Sequence, residues 1–386
     1  MRIQHLMAAA AVVFAAGNTE APAQDTPANL GVSVDLREEV RDSFIFVFSD
    51  NVASSEVRGQ ANALARASGG RVTHVYTTAL RGFAAKMPAD AAERLAAQNP
   101  NIDYYEPDGI AFAFKKPSWA GGGEDTEVCD DQDDQVVPWG ILRVGGSQNG
   151  AGRRAWVIDT GIDLEHPDLN VDVANSANFV FRGKNSPNDG NGHGTHVAGT
   201  IAAIDNDCDV VGVAAGAWVV AVRVLDNSGF GSWSGVIAGV DYVAANADAG
   251  DVANMSLGGG GYDSLDRAVV GAAKKGIWFA LAAGNSSDEA IKYSPARAED
   301  AFIYTVSAID SRNDFAWWSN YGTPPVDCAA PGVSVLSSKR GGGTTTYSGT
   351  SMAAPHVAGL LLFGAPVFDG TASGDPDGNP DPICSN

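Results

Sequence analysis

The chain has 386 residues, 45% of them hydrophobic, so it can bury the core of one large or two ordinary domains and is not a disordered protein. Its 46 acidic residues outnumber 25 basic ones for a formal charge of −21, and no basic stretch is long enough to neutralise several phosphates, which excludes nucleic acid as a partner.

At the start, Arg2 precedes the apolar run from Leu6 to Ala16, and Ala21-Pro22-Ala23 supplies small residues for cleavage, so residues 1–23 read as a secretory signal. The run is too short to span a bilayer, and no later segment is long and apolar enough; Val357 to Phe363 is a core helix by length. The expectation is a secreted protein with no membrane partner. Export puts Cys129, Cys208, Cys328 and Cys384 in an oxidising compartment, where two disulfides are the default and three pairings are possible. No Cys-x-x-Cys spacing points to zinc.

Residues 24–42 read as a flexible lead. Strand-like runs at Ser43–Phe48, Val72–Tyr76, Arg81–Met87 and Ile102–Tyr105, with helical stretches at Ser54–Ala67 and Ala89–Gln98, then give the order βαββαβ. That is a small ferredoxin-like α+β domain over residues 43–114, which alone could be a ligand-binding module. Residues 115–135 are acidic and glycine-rich, the composition of a linker. From 136 to 386 the rhythm changes. Apolar runs near Ala155–Ile158, Trp218–Leu225, Val252–Ser256, Ile277–Ala282 and Phe302–Ala308 alternate with helical stretches near His193–Ile204, Trp233–Ala245, Asp263–Lys274 and Ser351–Phe363. This alternation implies an α/β fold, a doubly wound, mostly parallel sheet with helices on both faces and its functional groups at the carboxyl ends of the strands.

Three stretches carry chemistry. Asp159 in Trp156-Val157-Ile158-Asp159-Thr160-Gly161 directly follows a buried strand, where a charge needs a partner; a turn-forming Asp is the plain alternative. His193 in Asn191-Gly192-His193-Gly194-Thr195-His196 stands at a helix start, where an imidazole can shuttle a proton. His196, one turn on, and His356 read as packed structural histidines, and no Glu or third ligand makes His193 and His196 a metal pair. Ser351 in Ser348-Gly349-Thr350-Ser351-Met352-Ala353-Ala354-Pro355 sits where the polar run Gly341–Thr350 gives way to an apolar helix. It is either a cap or a nucleophile whose oxyanion the helix N-terminus would stabilise.

The order Asp159, His193, Ser351 and the wording of all three motifs resemble the subtilisin-like serine proteases (subtilases), from about Val136 to Phe363. The resemblance implies a serine endopeptidase in which Ser351 attacks, His193 relays the proton and Asp159 fixes the imidazole. It gives Asn285, in Ala282-Ala283-Gly284-Asn285, the oxyanion-hole side chain, a donor worth about 3 kcal/mol by a value that itself comes from a subtilisin. Gly229-Phe230-Gly231 and Ser256-Leu257-Gly258 match the segments that pair with an extended peptide. Gly258, Gly259 and Ala282–Gly284, including Ala283 and Gly284, would line a roomy first pocket for large apolar residues, and Trp233 would cover a distal one. Structural calcium is implied at Gln135, Asp168, Asn206 and the carbonyls of Ile204, Cys208 and Val210. That placement implies Cys129–Cys208 and Cys328–Cys384 as the pairing.

By the same resemblance, residues 43–114 are a propeptide that templates folding and inhibits its own enzyme, with the tail Glu106–Phe114 in the groove and self-cleavage after Phe114 or close by. Polypeptides are the implied substrates, and a monomer the implied state. Two departures stand out: residues 115–134 lengthen the usual mature N-terminus, and the chain beyond Gly359 is short and ends near Cys384 without the family's further helix and strand. A non-catalytic peptide-binding protein on the same scaffold is the alternative. A dinucleotide oxidoreductase fails on the glycine spacing around Gly229–Gly235, and an esterase on the missing Gly-x-Ser-x-Gly elbow.

Overall fold

The computed structural model describes residues 32–114, 135–181 and 183–386. The expected signal segment, the linker 115–134 and Cys129 lie outside them. Residues 43–114 form a four-stranded antiparallel sheet in the order Arg71–Tyr76, Gly82–Lys86, Ser43–Phe48, Ile102–Pro107. Successive side chains of Ser43–Phe48 point to opposite faces. Phe44, Phe46 and Phe48 therefore meet the helices Ser54–Ala67 and Ala89–Gln98, while Ile45 and Val47 join Tyr76 and Ala84 against the helices of the large unit.

Three carboxylates fasten that second face. Glu106 accepts from the amides of Asp263 and Ser264, at 3.2 and 2.9 Å, at the start of helix Asp263–Ala273. Asp108 accepts from the Ser234 amide at 3.1 Å in the first turn of helix Trp233–Asn246. Anions at helix N-termini satisfy unpaired N–H groups and oppose the macrodipole. In return, buried Asp241 of the large unit accepts from the amides of Thr77, Thr78 and Ala79 at 3.0, 2.7 and 2.7 Å.

Part of the expected flexible lead is helical instead. Val34–Val40 is capped by Ser33, whose hydroxyl accepts from the Leu36 amide, and Val32 and Leu36 pack on Phe230 of the large unit. So short a helix is marginal in isolation and owes its stability to this contact.

The large unit is built on a ten-stranded sheet, and its alternating pattern is as the sequence implied. Strands Val326–Pro331, Ile303–Ile309, Trp278–Ala282, Val252–Met255, Arg154–Asp159 and Trp218–Arg223 run parallel in that order. Helices Trp233–Asn246 and Asp263–Ala273 cover one face with Trp156, Ile158, Val220 and Val222; helices His193–Ala202 and Thr350–Leu361 cover the other with Ala155, Val157, Val219 and Ala221. Coverage on both faces is why these strands read as unbroken apolar runs.

The polar run read as a loop before Ser351 contains half of a hairpin, Val335–Ser338 with Thr344–Tyr347. Its β-branched threonines suit a strand, and Gly341, Gly342 and Gly343 make its turn with positive φ. The short C-terminus closes the sheet edge with another hairpin, Val367–Thr371 and Pro382–Ser385, which joins Val326–Pro331 through Ile383 opposite Ala329. The expected Cys328–Cys384 disulfide ties it there, with Cα atoms 5.7 Å apart. The other expected bridge involves Cys129, outside the described residues.

Candidate active site

Strand Arg154–Asp159 ends on a carboxylate that is wholly buried, so its charge has to be met inside the protein. Asp159 Oδ1 accepts from His193 Nδ1 at 2.8 Å and from the Thr160 amide at 2.7 Å. With Asp159 accepting, Nδ1 carries the imidazole proton and Nε2 keeps its lone pair. Nε2 is buried and has no hydrogen-bond partner. Burial disfavours the charged imidazole, but Asp159, with Asp189 adding to it, outweighs that and raises the His193 pKa above the usual histidine value.

His193 opens helix His193–Ala202, and the helix can approach the strand because residue 194 is glycine: a Cβ there would lie 2.1 Å from the Gly161 carbonyl oxygen. Asp189, which sequence reasoning passed over, holds this corner. Fully buried, it accepts from Thr160 Oγ1 at 3.0 Å, the amides of Asn191, Gly192 and Thr195 at 2.8, 2.9 and 3.0 Å, and Thr195 Oγ1 at 2.7 Å. An Asp four residues before a helix histidine was the available signal. His196 and His356 are structural, as expected. His196 Nε2 meets the Val335 carbonyl at 3.1 Å and its ring stacks on Tyr347, and burial drives its pKa down to about 3. His356 Nδ1 meets the Met352 carbonyl at 2.8 Å, and burial takes its pKa to about 4.

Ser351 is the second residue of helix Thr350–Leu361, in the turn whose N–H groups lack helical partners. Its hydroxyl donates to the Ser256 carbonyl at 3.0 Å. The Ser256 side chain lies beneath it, donating to the Ser351 carbonyl at 2.8 Å, so of Ser256 only the backbone is on the groove side. Asn285 is oriented by Thr350: Oδ1 accepts from the Thr350 amide at 3.0 Å and hydroxyl at 2.9 Å, which leaves Nδ2 buried and unpartnered. A buried donor without an acceptor can serve an anion that forms during reaction.

The segments named for peptide binding flank one strand of the chain itself. Ile110–Ala113 lies antiparallel between Phe230–Ser232 and Leu257–Gly260, with Phe112 opposite Phe230 and Gly258 and Ala113 opposite Leu257. The Ala113 amide donates to the Gly229 carbonyl at 2.9 Å, and Gly231 pairs with Ala111. Phe114 is buried; a Cβ at Gly258 would come within 2.6 Å of its ring, and one at Gly284 within 3.6 Å. Trp233 stacks on Tyr262 with centroids 5.3 Å apart and fills the space a Gly259 side chain would need. Ala283 departs from expectation, packing with Ala290 and Val326 in a small separate cluster. A cavity of about 280 Å³ opens beside His193, Phe114 and Tyr347.

The residues named for a metal also converge. Gln135 Nε2 lies 2.7 Å from the Ile204 carbonyl, 3.4 Å from Asn206 Oδ1, and 3.0 Å from each of the Cys208 and Val210 carbonyls. Asp168 is fully buried, its Oδ1 accepts from the Ile204 amide at 3.2 Å, and its Oδ2 has no partner. Burial, reinforced by Asp209, pushes its pKa up to about 8.

A subtilase family profile matches residues 156–363, more than half of the chain. The subtilisin-like serine protease AsES of Sarocladium strictum is 36% identical over 379 residues, covering 94% of this chain and 88% of the relative. The extracellular serine proteinase of Thermus sp. (strain Rt41A) is 42% identical over 297 residues, covering 76% and 68%. Among solved structures, a cold-adapted subtilisin-like serine proteinase superposes with a TM-score of 0.56 at 37% identity, covering 65% of this chain and 98% of its own. With the Asp159–His193 pair at the strand ends and Ser351 at its helix start, these likenesses establish that the chain belongs to the subtilase family of serine endopeptidases.

Proposed function

We propose that the chain is the precursor of a secreted endopeptidase that cleaves peptide bonds through an acyl-enzyme on Ser351, and that residues 43–114 inhibit it until it cuts itself after Phe114. The observation that carries this reading is the strand Ile110–Ala113, seated as a third strand in the groove with Phe114 against Gly258 and Gly284. A substrate would replace it in the same main-chain pairing, and the neutral, glycine-lined pocket accounts for a preference for large apolar residues. Export is supported by the leader-like residues 1–23 and by the extracellular naming of the Thermus relative. Among the described residues, no helix is long and apolar enough to cross a membrane.

In the proposed reaction the Ser351 hydroxyl turns from the Ser256 carbonyl to His193 Nε2, which takes its proton as Oγ adds to the peptide carbonyl. The carbonyl oxygen becomes an oxyanion met by Asn285 Nδ2 and the Ser351 amide. His193 then gives its proton to the leaving amine, and water releases the acyl group by the same steps in reverse. Asp159 keeps its bond to Nδ1–H and stabilises the imidazolium.

The Gln135 site fits a hard cation. An amide nitrogen has two hydrogens for the four oxygens around Gln135 Nε2, and Asp168 adds an orphaned buried oxygen. Among the described residues no three His, Cys, Asp or Glu side chains are grouped to hold a metal; these donors are mainly amide and carbonyl oxygens, which suit calcium. Bound there, calcium would fasten the start of the catalytic domain to the loop 204–210 and offset Asp168.

Ser351→Ala should abolish casein hydrolysis and leave full-length precursor on denaturing gels, and normal processing in that variant would refute self-cleavage. Because the His193 pKa is raised, protonation removes the base as pH falls, so the acid limb of kcat/KM should lie above pH ~6.5. Asp159→Asn should lower kcat on the order of 10⁴-fold and move that limb downward in a pH–rate profile. Chelating calcium should lower the unfolding temperature on the order of 5–10 °C in scanning calorimetry, and Gln135→Ala should remove much of that dependence.

A further inference from the structure

The C-terminal hairpin is closed by Gly374-Asp375-Pro376-Asp377-Gly378-Asn379-Pro380-Asp381, a loop the catalytic reading leaves unused. Oxygen-bearing side chains recur at every second position, 375, 377, 379 and 381. This is the spacing by which short loops turn successive oxygens toward a hard cation.

Asp381 supplies the independent observation. It is 1% exposed; Oδ2 accepts from Ser307 Oγ at 2.5 Å, and Oδ1 is buried without any hydrogen-bond partner. The charged groups that face it are Asp375 and Asp377, both of its own sign. Asp375 wraps back over it, with Oδ2 accepting from the Asp381 amide at 3.2 Å and Oδ1 from the Asp377 amide at 3.3 Å. Asp377 Oδ1 accepts from the Asn379 amide at 2.7 Å. The buried Oδ1 is left without a donor, and among the described residues no ion pair joins Asp375, Asp377 or Asp381 to a basic side chain.

We propose that Asp375, Asp377, Asn379 and Asp381 bind calcium and that the ion fastens the C-terminal hairpin to the sheet. Asp381 reaches the sheet through Ser307 of strand Ile303–Ile309, and Cys384, three residues on, is bonded to Cys328 of the neighbouring strand. The ion and the disulfide thus hold the same edge. Among the described residues no three acidic side chains converge closely enough to hold an ion, so binding requires the exposed Asp377 and Asn379 to swing in.

Equilibrium dialysis of full-length, chelator-stripped Ser351→Ala protein against about 1 mM calcium tests this, at the weak end of affinities known for extracellular modules. Asp377→Asn, a change at an exposed side chain, should bind one calcium fewer per chain than its parent, and so should Asp375→Asn. Asp369→Asn, which removes an exposed acid of the same hairpin outside the loop, should lose none. Equal stoichiometry in parent and Asp377→Asn would overturn the site. So would an Asp381→Asn protein with its calcium count unchanged, because a proton rather than a metal would then resolve the buried carboxyl. The Gln135 ligands are intact in every variant, so failure of that site does not affect the difference.

Discussion

Asp159 gives up its hydration at the carboxyl end of a central strand, and its Oδ1 receives the His193 Nδ1–H at 2.8 Å and the Thr160 amide at 2.7 Å. Much of the surrounding structure is what this exchange requires. The helix carrying His193 has to come close, which needs glycine at 194, and its entry has to be rigid, which Asp189 secures by gathering donors from residues 160 to 195. Once Nδ1 is committed to Asp159, Nε2 is the basic nitrogen; it has no structural partner, and His193 lines the cavity beside Phe114. His196 and His356 are the contrast, since each gives a ring nitrogen to a main-chain carbonyl and is kept neutral by burial.

The N-terminal unit relates to this centre through charge as well as shape. Glu106 and Asp108 sit at the N-termini of two helices of the large unit, where unpaired amides and the macrodipole favour anions. Those contacts immediately precede Ile110, so the chain that leaves them is delivered into the gap between Phe230–Ser232 and Leu257–Gly260. Helix Val34–Val40 reinforces the outer side of that gap: Leu36 packs on Phe230, and Glu39 accepts from Ser232 Oγ at 3.0 Å. The domain is thus held by carboxylates on helix ends with its last strand in the groove, the arrangement from which inhibition is proposed.

The parts legible in the sequence were those whose signal is local. Asp159 ends a strand, His193 opens a helix and Ser351 lies in the first turn of one, so an apolar run and its polar boundary located each. What escaped depends on distant partners. Asp189 reads as a turn residue until Thr160 and Thr195 are brought to it. Val34–Val40 reads as a polar lead because the residue that stabilises it, Phe230, lies almost two hundred positions away. The hairpin Val335–Ser338 and Thr344–Tyr347 was hidden by its three turn glycines, and the exposed strand Val367–Thr371 carries no apolar pattern, since pairing with Pro382–Ser385 and the Cys384 bridge hold it. Ala283 was placed in the first pocket by motif, yet its side chain packs with Ala290 and Val326.

The strand in the groove is proposed to be the first peptide the enzyme cuts. Intact mass of the N-terminal fragment released during maturation of the unaltered chain measures this directly. A fragment ending at Phe114 is the result the geometry of Gly258, Gly284 and the Ala113–Gly229 bond requires. A fragment ending before Ile110, or mature active enzyme that still carries residues 110–114, would contradict it.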